Sequence, residues 1–544
     1  MACRLVEMLR ALLTPILGGI LLAWCFLPAP AHWLAWISLT PVAAAIASRR
    51  RLIATCIGMY CAGLIFNLIT TDWIRTLDSG TGLTGSSAPD WLFQSQLLAL
   101  FWPIALLLGR AIVATWAVPM SIVLPAVWTI HEALLRTVWA LVDQTGWRIY
   151  FLGYAIVDHG FFSQIADLGG VSALTFLAAC TSGAVWDLWS IRSSDDRSVQ
   201  LRLSRLAGVG IGVSVLVSCA AYGGWRLEQT HYTRGPNVWL MPDEALERPP
   251  EQLPWTPQTS SAPDVLLWSE LAYHGPRADA SPSANKTPPG DPATLTGATA
   301  GPRDRHRMTR DEALEQICNR FAVPIVVGYR RTASDSPSSA SYNAAAFVDP
   351  VGGMQGTYDK IGLVPWTEFT PRETLTARKS AGFSRGKAYP VFTLSTDSAE
   401  RAYRFSTAIC YDIAFADLFR RFMQDSEGAP DFFLVCSSER SDKTGRMSRH
   451  VLSIAKVRAI ECRRTLVRNV RGGPSGRIDS TGRLRDPSLP PLIETATPLG
   501  SIAIDARSTL FVKWGDWIPA AVVWILLVAA ALKLISFALA RRER

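Results

Sequence analysis

Three residues of different chemical type, Glu270, Lys360 and Cys410, offer a carboxylate, an ammonium group and a thiol. A thiolate nucleophile needs a base to take its proton and a cation to hold the resulting negative charge. If the three side chains converge, they meet both needs, and the ammonium can also stabilise the oxyanion of a tetrahedral intermediate. The backbone N–H of Tyr411, just after the thiol, would be a second oxyanion donor. Together these groups predict covalent catalysis by a cysteine.

The sequence around Cys410 predicts how the thiol is presented. An apolar, β-prone run over residues 405–409 ends at Cys410, and apolar residues recur at helical spacing after Asp412. A cysteine at such a strand-to-helix elbow lies at the positive end of a helix, where the thiolate is favoured over the thiol. Taken alone, the residue has an alternative interpretation as an inert core cysteine.

Glu270 and Lys360 lie in one extramembrane region, residues 224–517, in which strand-like and helical runs alternate. Such alternation indicates an α/β layered domain. Residues 275–309, which are rich in Gly, Pro, Ser, Thr and Asp, predict a flexible insertion. The predicted strands are 265–268, 324–328, 344–348, 405–409, 432–436, 466–469 and 500–504, and the predicted helices are 308–321, 413–425 and 446–463.

The rest of the chain is dominated by apolar runs. A membrane-spanning helix needs about 20 apolar residues. Eight runs reach or approach that length: 8–28, 33–48, 53–73, 91–109, 111–131, 166–190, 206–223 and 518–540. The sequence therefore predicts a polytopic α-helical membrane protein, with a bundle of seven spans over 1–223, the α/β domain over 224–517, and a last span with a basic cytoplasmic tail over 518–544.

The distribution of arginine predicts the orientation, because cytoplasmic loops of membrane proteins are enriched in Arg and Lys. With the N-terminus in the cytoplasm, every inside segment carries arginine, whereas the outside loops 74–90 and 132–165 are balanced or acidic. Residues 224–517 are then predicted to lie outside the cytoplasm. The aromatic-rich segment 147–170 has two interpretations, as a re-entrant segment facing lipid or as an ordered outer loop.

Composition argues against several other functions. The formal net charge is +9, but much of the excess is arginine beside apolar runs, and no nucleic-acid-binding motif is present, so we expect no nucleic-acid partner. The ten cysteines form no CxxC pair, and the seven histidines form no HExxH motif, so no metal site is predicted. We interpret Cys436 and Cys462 as core thiols rather than as a redox pair.

The order Glu-Lys-Cys, with the motifs W-x-E, Y-x-K-x-x-L-V-P-x-x-E and C-Y-[DE], resembles the nitrilase superfamily. With seven predicted spans before the α/β domain and one after it, the chain resembles the bacterial apolipoprotein N-acyltransferases over essentially its whole length. The resemblance implies a four-layer α-β-β-α domain on a membrane bundle, at the outer face of the bacterial inner membrane. It also implies that no cofactor is needed.

The resemblance further implies a two-step acyl transfer. Cys410 takes an acyl chain from a phospholipid as a thioester, and the α-amino group of a diacylglyceryl-lipoprotein then accepts it. Glu270 is the implied general base and Lys360 the implied oxyanion partner. The implied supporting residues are Glu368, Tyr411 and Asp412, and the predicted substrate-binding residues are Trp366 and Arg385. For Arg385, binding of a phosphate head group and a structural ion pair are both open.

The chain also departs from the family pattern at several positions. Ser269 replaces the usual proline of W-P-E, and Asp412 replaces the glutamate of C-Y-E. Residues 436–440 (Cys-Ser-Ser-Glu-Arg) replace an N-D-x-W-F stretch, and the first strand of the domain ends in Met241-Pro242-Asp243. Two alternatives therefore remain: a membrane-tethered amidase or hydrolase in which water discharges the thioester, and a non-catalytic paralogue that binds lipoproteins.

Overall fold

The computed structural model describes most of the chain. The described residues are 2–27, 31–48, 51–76, 87–143, 145–193, 199–229, 232–246, 262–273, 310–333, 340–365, 367–369, 382–396, 402–425, 428–440, 442, 444–488 and 496–542. The predicted insertion 275–309 and the predicted substrate-binding residue Trp366 lie outside them.

The apolar runs form helices, and the mixed region forms two sheets. The α-helices are α1 Ala2–Trp24, α2 Thr40–Ala47, α3 Leu52–Thr70, α4 Ser87–Ala99, α5 Phe101–Thr115, α6 Met120–Asp143, α7 Gly160–Ser163, α8 Ala166–Ser193, α9 Val199–Glu228, α10 Arg310–Phe321, α11 Ala416–Phe422, α12 Arg446–Cys462, α13 Leu510–Trp514 and α14 Ile518–Arg542. Short 3-10 helices cover His32–Trp36, Asp72–Thr76, Leu152–Ile156, Asp243–Leu246 and Cys410–Ala414.

Within the described residues, six helices are long and apolar enough to cross a membrane: Arg4–Trp24, Leu52–Thr70, Trp91–Thr115, Ala166–Arg192, Val199–Glu228 and Ile518–Arg541. The predicted count of eight is not confirmed. The predicted span 111–131 straddles a break at 116–119, where Pro119 interrupts the helix. The predicted span 33–48 is a 3-10 turn followed by an eight-residue helix, which is too short to cross a bilayer.

The helix ends that carry Arg51 and Arg110 lie together, since Arg110 Nη2 donates to Thr55 Oγ1 in the first turn of α3 at 3.1 Å. Arg51, at the start of α3, lies 3.7 Å from Glu7 at the start of α1. At the other end of the bundle, Phe26, just past α1, packs on the imidazole of His450 in α12, with ring centroids 5.3 Å apart. Arg51 and Arg110, two of the residues that predict the cytoplasmic side, therefore lie at the end of the bundle that is far from α12.

Residues 232–505 form two six-stranded sheets. The strands are β1 Tyr232–Leu240, β2 Val265–Leu267, β3 Ile325–Thr332, β4 Ser341–Asp349, β5 Gly353–Asp359, β6 Phe392–Leu394, β7 Tyr403–Ile409, β8 Phe432–Ser438, β9 Thr465–Arg471, β10 Ser475–Ile478, β11 Leu484–Ser488 and β12 Thr497–Asp505. The first sheet has the order β12-β1-β2-β3-β4-β5, and the second has the order β11-β10-β9-β8-β7-β6. The central strands β1, β2 and β3 run parallel, as do β7, β8 and β9.

The two sheets pack face to face between layers of helices. Phe347 of β4 meets Phe405 of β7 at a ring-centroid distance of 4.9 Å, so apolar side chains of both sheets share one core. On the outer face of the first sheet, Leu314 and Cys318 of α10 are buried. Helix α12 covers the second sheet and lies between it and the bundle. The domain is therefore an α-β-β-α sandwich.

Residues 145–157 lie between the bundle and the α/β domain. Tyr150 stacks on His450 of α12 with ring centroids 4.2 Å apart, and its backbone N–H donates to His450 Nε2 at 3.0 Å. Leu152 N donates to Glu132 Oε1 of α6 at 2.7 Å. Residues 149–157 are all buried. Because protein covers both sides of this part of the aromatic-rich segment, it does not face lipid, and the interpretation as an ordered loop is the one that fits.

Candidate active site

Glu270 follows β2, at the carboxyl end of the parallel strands of the first sheet. The residue is 5% exposed. Oε1 accepts hydrogen bonds from Lys360 Nζ at 3.0 Å and from Asn343 Nδ2 at 2.8 Å, and Oε2 accepts one from the backbone N–H of Ser438 at 3.0 Å. Both oxygens are thus held by donors, which fixes the orientation of the carboxylate.

Lys360 follows β5 and is almost fully buried. Its Nζ donates to Glu270 and to Glu368, each at 3.0 Å. Burial by itself lowers the pKa of Lys360, but the negative charges of Glu270 and Glu368 outweigh it and raise the pKa well above its usual value. The ammonium is therefore charged at neutral pH, between two carboxylates.

Asn343 of β4 joins the same two carboxylates, and the sequence analysis did not select it as a site residue. Its Nδ2 donates to Glu270 at 2.8 Å and to Glu368 at 2.7 Å. The backbone carbonyl of Asn343 accepts a hydrogen bond from the backbone N–H of Lys360 at 2.8 Å. The dipeptide Tyr342-Asn343 is a further match to the family pattern, but that match alone gives no role to the amide. The structure assigns that role, since the NH₂ group bridges two carboxylates that would otherwise repel each other.

Cys410 is the first residue of a 3-10 helix that begins where β7 ends. Its φ is +47°, a left-handed conformation that costs a non-glycine residue on the order of 1–2 kcal/mol. Its Sγ lies 3.9 Å from the carbonyl oxygen of Ser438, whose N–H binds Glu270. One residue of β8 therefore contacts both the candidate nucleophile and the candidate base.

The carboxylate of Asp412 holds this strained elbow. Oδ2 accepts from the Tyr358 hydroxyl at 2.8 Å and from Ile409 N at 2.9 Å, and Oδ1 accepts from Gly362 N at 2.6 Å. Burial raises the pKa of Asp412 to about 6, although Lys360 and the three donors oppose that change. Asp412 connects the Cys410 elbow to the segments on both sides of Lys360, so the shorter side chain still supports the site.

The prediction of a thiolate at a helix start is wrong for this structure. Burial and the negative charge of Glu270 raise the pKa of the Cys410 thiol above its usual value, and the positive charge of Lys360 only partly offsets them. The elbow also continues into a five-residue 3-10 helix and then the seven-residue α11, in place of one helix over 413–425. Cys410 is therefore a thiol at neutral pH, and its attack requires a base.

The altered segment 436–440 is well packed. Cys436, Ser437 and Glu439 are each at most 1% exposed. Glu439 Oε1 accepts from Arg468 Nη2 at 2.8 Å, and Cys436 lies opposite Ile409 in the parallel β7–β8 pair. The segment thus fills the space beside the site with protein. Cys436 and Cys462 are free, buried thiols.

Two further predicted residues lie near this cluster. The Tyr411 ring packs edge-on against Phe415 at 5.5 Å. The guanidinium of Arg385 lies over the ring of Phe369 at 5.8 Å, next to Glu368 in the chain. Phosphate binding by Arg385 stays a prediction. Within the described residues, no group of three or more His, Cys, Asp or Glu side chains is arranged to hold a metal ion.

Comparisons with known proteins cover both halves of the chain. The family model "Apolipoprotein N-acyltransferase N-terminal domain" matches residues 18–184, and the model "Carbon-nitrogen hydrolase" matches residues 297–479. The chain is 25% identical to apolipoprotein N-acyltransferase 2 of Treponema pallidum (strain Nichols) over 421 residues, 71% of this chain and 72% of the relative.

The chain is also 24% identical to apolipoprotein N-acyltransferase of Haemophilus influenzae (strain KW20 / Rd) over 533 residues, 92% of this chain and 93% of the relative. Among solved structures, the NitN amidase from Neterenkonia sp. AN1 aligns over 51% of this chain and 96% of its own, at 19% identity and a TM-score of 0.31. Both domains of the fold and nearly the full length are thus matched. The chain carries an apolipoprotein N-acyltransferase N-terminal domain and a carbon-nitrogen hydrolase domain, and it is similar to apolipoprotein N-acyltransferases over nearly its full length.

Proposed function

We propose that the protein is a membrane-embedded N-acyltransferase that moves an acyl chain from a phospholipid, through a thioester on Cys410, to the α-amino group of the lipidated N-terminal cysteine of lipoproteins. The observation that carries the proposal is the buried ammonium of Lys360, 3.0 Å from both Glu270 and Glu368, beside the strained Cys410 elbow. Burying such a cluster costs folding free energy, so a functional reason for it is expected. The hydrolase and the non-catalytic alternatives are not favoured, because the named relatives are N-acyltransferases.

In the first step, Glu270 takes the proton of the Cys410 thiol as sulfur attacks the carbonyl carbon of a phospholipid ester. The carbonyl oxygen becomes an oxyanion, and Lys360 Nζ and the backbone N–H of Tyr411 stabilise it. When the tetrahedral intermediate collapses, the C–O bond of the ester breaks. The lysophospholipid leaves with the proton from Glu270, and the acyl chain remains on sulfur as a thioester.

In the second step, the α-amino group of the lipoprotein attacks the thioester carbon and gives a proton to Glu270. The same two donors stabilise the second oxyanion. The C–S bond then breaks, sulfur regains a proton, and the product carries an amide. Neither step oxidises or reduces any group, so the exchange needs no redox partner.

The membrane bundle fits substrates of this kind. A phospholipid and a diacylated lipoprotein both have their acyl chains in the bilayer, and the α/β domain lies at one end of the apolar helices. We propose that this end faces the periplasm of a bacterial cell, because the arginine-bearing helix ends lie at the other end of the bundle.

The test is trapping of the acyl-enzyme. Purified protein in detergent receives a phospholipid with a clickable acyl chain, and label that neutral hydroxylamine removes is measured. We expect label on the wild type and on Cys436→Ala, which lacks the buried thiol of the neighbouring strand, but none on Cys410→Ala. Added diacylated lipopeptide should then take the label as an amide.

Two results would contradict the proposal. One is folded wild-type protein, with a reduced Cys410, that forms no hydroxylamine-labile adduct. The other is release of the label as free fatty acid at a rate that lipopeptide does not change. The second result would assign the site to a hydrolase.

A further inference from the structure

The two sheets contribute different parts of the candidate site. Glu270, Asn343 and Lys360 belong to the first sheet, whereas Cys410 and Ser438 belong to the second. The distance from base to nucleophile therefore depends on how the sheets are held against each other. A shift of 1 Å at this junction would be enough to slow proton transfer on the order of a hundredfold.

A set of polar contacts crosses between the sheets directly beside Glu270. Asn469 of β9 donates from Nδ2 to the carbonyls of Met241 and Leu267, at 2.9 and 2.6 Å. Two residues further along the same strand, the guanidinium of Arg471 forms an ion pair with Asp243. Arg471 is the last residue of β9, and Asp243 follows β1, so this pair ties together the carboxyl ends of strands in different sheets.

Asp243 also binds the residue that precedes the candidate base. The hydroxyl of Ser269 donates to Asp243 Oδ1 at 2.8 Å, and Ser269 is 2% exposed. Ser269 is one of the departures from the family pattern, which has proline at this position and therefore no hydroxyl to donate. The Asp243 carboxylate thus accepts from both sheets, one oxygen from each.

The contacts close on the other side of Glu270 as well. Glu439 N donates to the carbonyl of Arg471 at 2.7 Å, and the preceding residue, Ser438, donates its N–H to Glu270 Oε2 at 3.0 Å. Two peptide bonds and four hydrogen-bonded or ionic contacts therefore form a closed ring around the base. Its members are Asp243, Ser269, Glu270, Ser438, Glu439 and Arg471.

We propose that Asp243, Ser269 and Arg471 are positioning residues that hold the carboxylate of Glu270 at the correct distance from Cys410. The inference rests on the proposed role of Glu270 as general base. The ring has a mechanical and an electrostatic part. The hydroxyl and the ion pair fix the backbone on both sides of the carboxylate, and Asp243 offsets the positive charge of Arg471, which would otherwise weaken the base.

Two variants separate these parts. Ser269→Ala removes one buried hydroxyl and no charge, so we expect thioester formation to slow on the order of tenfold at saturating phospholipid with an unchanged pH profile. Asp243→Asn leaves the charge of Arg471 uncompensated. We expect it to slow thioester formation on the order of ten- to a hundredfold. We also expect the acid limb of the pH–rate profile to move to lower pH, because the uncompensated positive charge of Arg471 makes the Glu270 carboxylate hold a proton less tightly. The double variant Asp243→Asn/Arg471→Gln should return the limb to its wild-type position without restoring the rate.

The matched control is Asp425→Asn, which neutralises a similarly exposed ion-paired aspartate, 3.3 Å from Arg404 at the far end of β7. If wild type and Asp425→Asn form no thioester, the proposed function fails, and this inference with it. If they react but Ser269→Ala and Asp243→Asn keep the wild-type rate and pH profile, only the positioning role is refuted. Should Asp243→Asn fold poorly, Ser269→Ala carries the test, since a rate unchanged in that folded variant would refute the role of the ring.

Discussion

Replacing Lys360 with methionine tests the centre of the proposed mechanism. An ammonium has three N–H donors, and Lys360 uses two of them on Glu270 and Glu368, each at 3.0 Å. Nζ also lies 3.0 Å from the second oxygen of Glu368, Oε2, and we expect the third N–H to turn from that oxygen to the oxyanion. Methionine keeps a similar length and volume but removes both the donor and the charge.

The expected loss has two parts. Removing one donor to an oxyanion costs about 10²- to 10³-fold in kcat, or about 2.7–4 kcal/mol. In addition, each attraction between the ammonium and a carboxylate at 3.0 Å is worth about 5 kcal/mol at an effective dielectric constant of about 20. Without them, two buried carboxylates are left side by side with no cation between them, which disturbs the position of the base. We therefore expect thioester formation to fall by at least about 10³-fold, or about 4 kcal/mol.

The assay is the initial rate of hydroxylamine-labile labelling from a clickable phospholipid. Lys513→Met is the matched control, because Lys513 is an exposed lysine of α13, and it should react at the wild-type rate. Lys360→Arg should not restore activity, since the guanidinium is larger and Lys360 is 1% exposed. A folded Lys360→Met protein that labels within about tenfold of the wild type would refute the assignment of Lys360 as oxyanion partner.

Three further outcomes follow from the same geometry. Because burial raises the pKa of Asp412 to about 6, protonation below that pH removes an acceptor from the elbow, and labelling should fall as the pH drops from about 7 to about 5. In a pH series, Asp412→Asn should label slowly at every pH and should not show this fall. A Cβ at Gly362 would lie 2.6 Å from the Phe415 ring, so Gly362→Ala should lose most labelling, whereas Gly224→Ala, with open space around its Cα, should label normally. Asp167→Ala leaves the buried guanidinium groups of Arg226 and Arg463 without their carboxylate. This should lower the free energy of unfolding by about 3–5 kcal/mol and lower the thermal midpoint in detergent. An unchanged midpoint would contradict a stabilising role for the ion pairs of Asp167.

The elements that carry the candidate site could be predicted because their signals are local. The apolar run 405–409 lies in β7, and the runs at 432–436 and 446–463 correspond to β8 and α12. Functional groups at the carboxyl ends of buried strands share one edge of a layered domain, so Glu270 and Cys410 were candidates before any contact was known. Strand β5, which has two glycines and little alternation, gave no such signal, and pairing with β4 determines it.

Contacts between elements distant in sequence were not predictable. Asn343 resembles any polar strand residue until β4 places its amide between two carboxylates. The charge state of Cys410 depends on its burial and on the negative charge of Glu270. A predicted strand-to-helix elbow gives no information about either. The predicted span count is not confirmed, because the hydropathy pattern runs on through residues 116–119, whereas α5 ends at Thr115 and α6 begins after Pro119.

The junction between α12 and the bundle means that the α/β domain is not a detachable module. Arg463, just past α12, is fully buried, and its guanidinium is held by Asp167 and Gln164 of the bundle at 2.6 and 2.7 Å. Glu461 accepts from Val171 N at 3.1 Å. A fragment cut at residue 224 would expose these charged and apolar groups to solvent without their partners. The membrane helices therefore cover the outer face of α12, the helical layer of the sandwich that lies next to the bundle. Recombination between relatives would have to exchange both halves together.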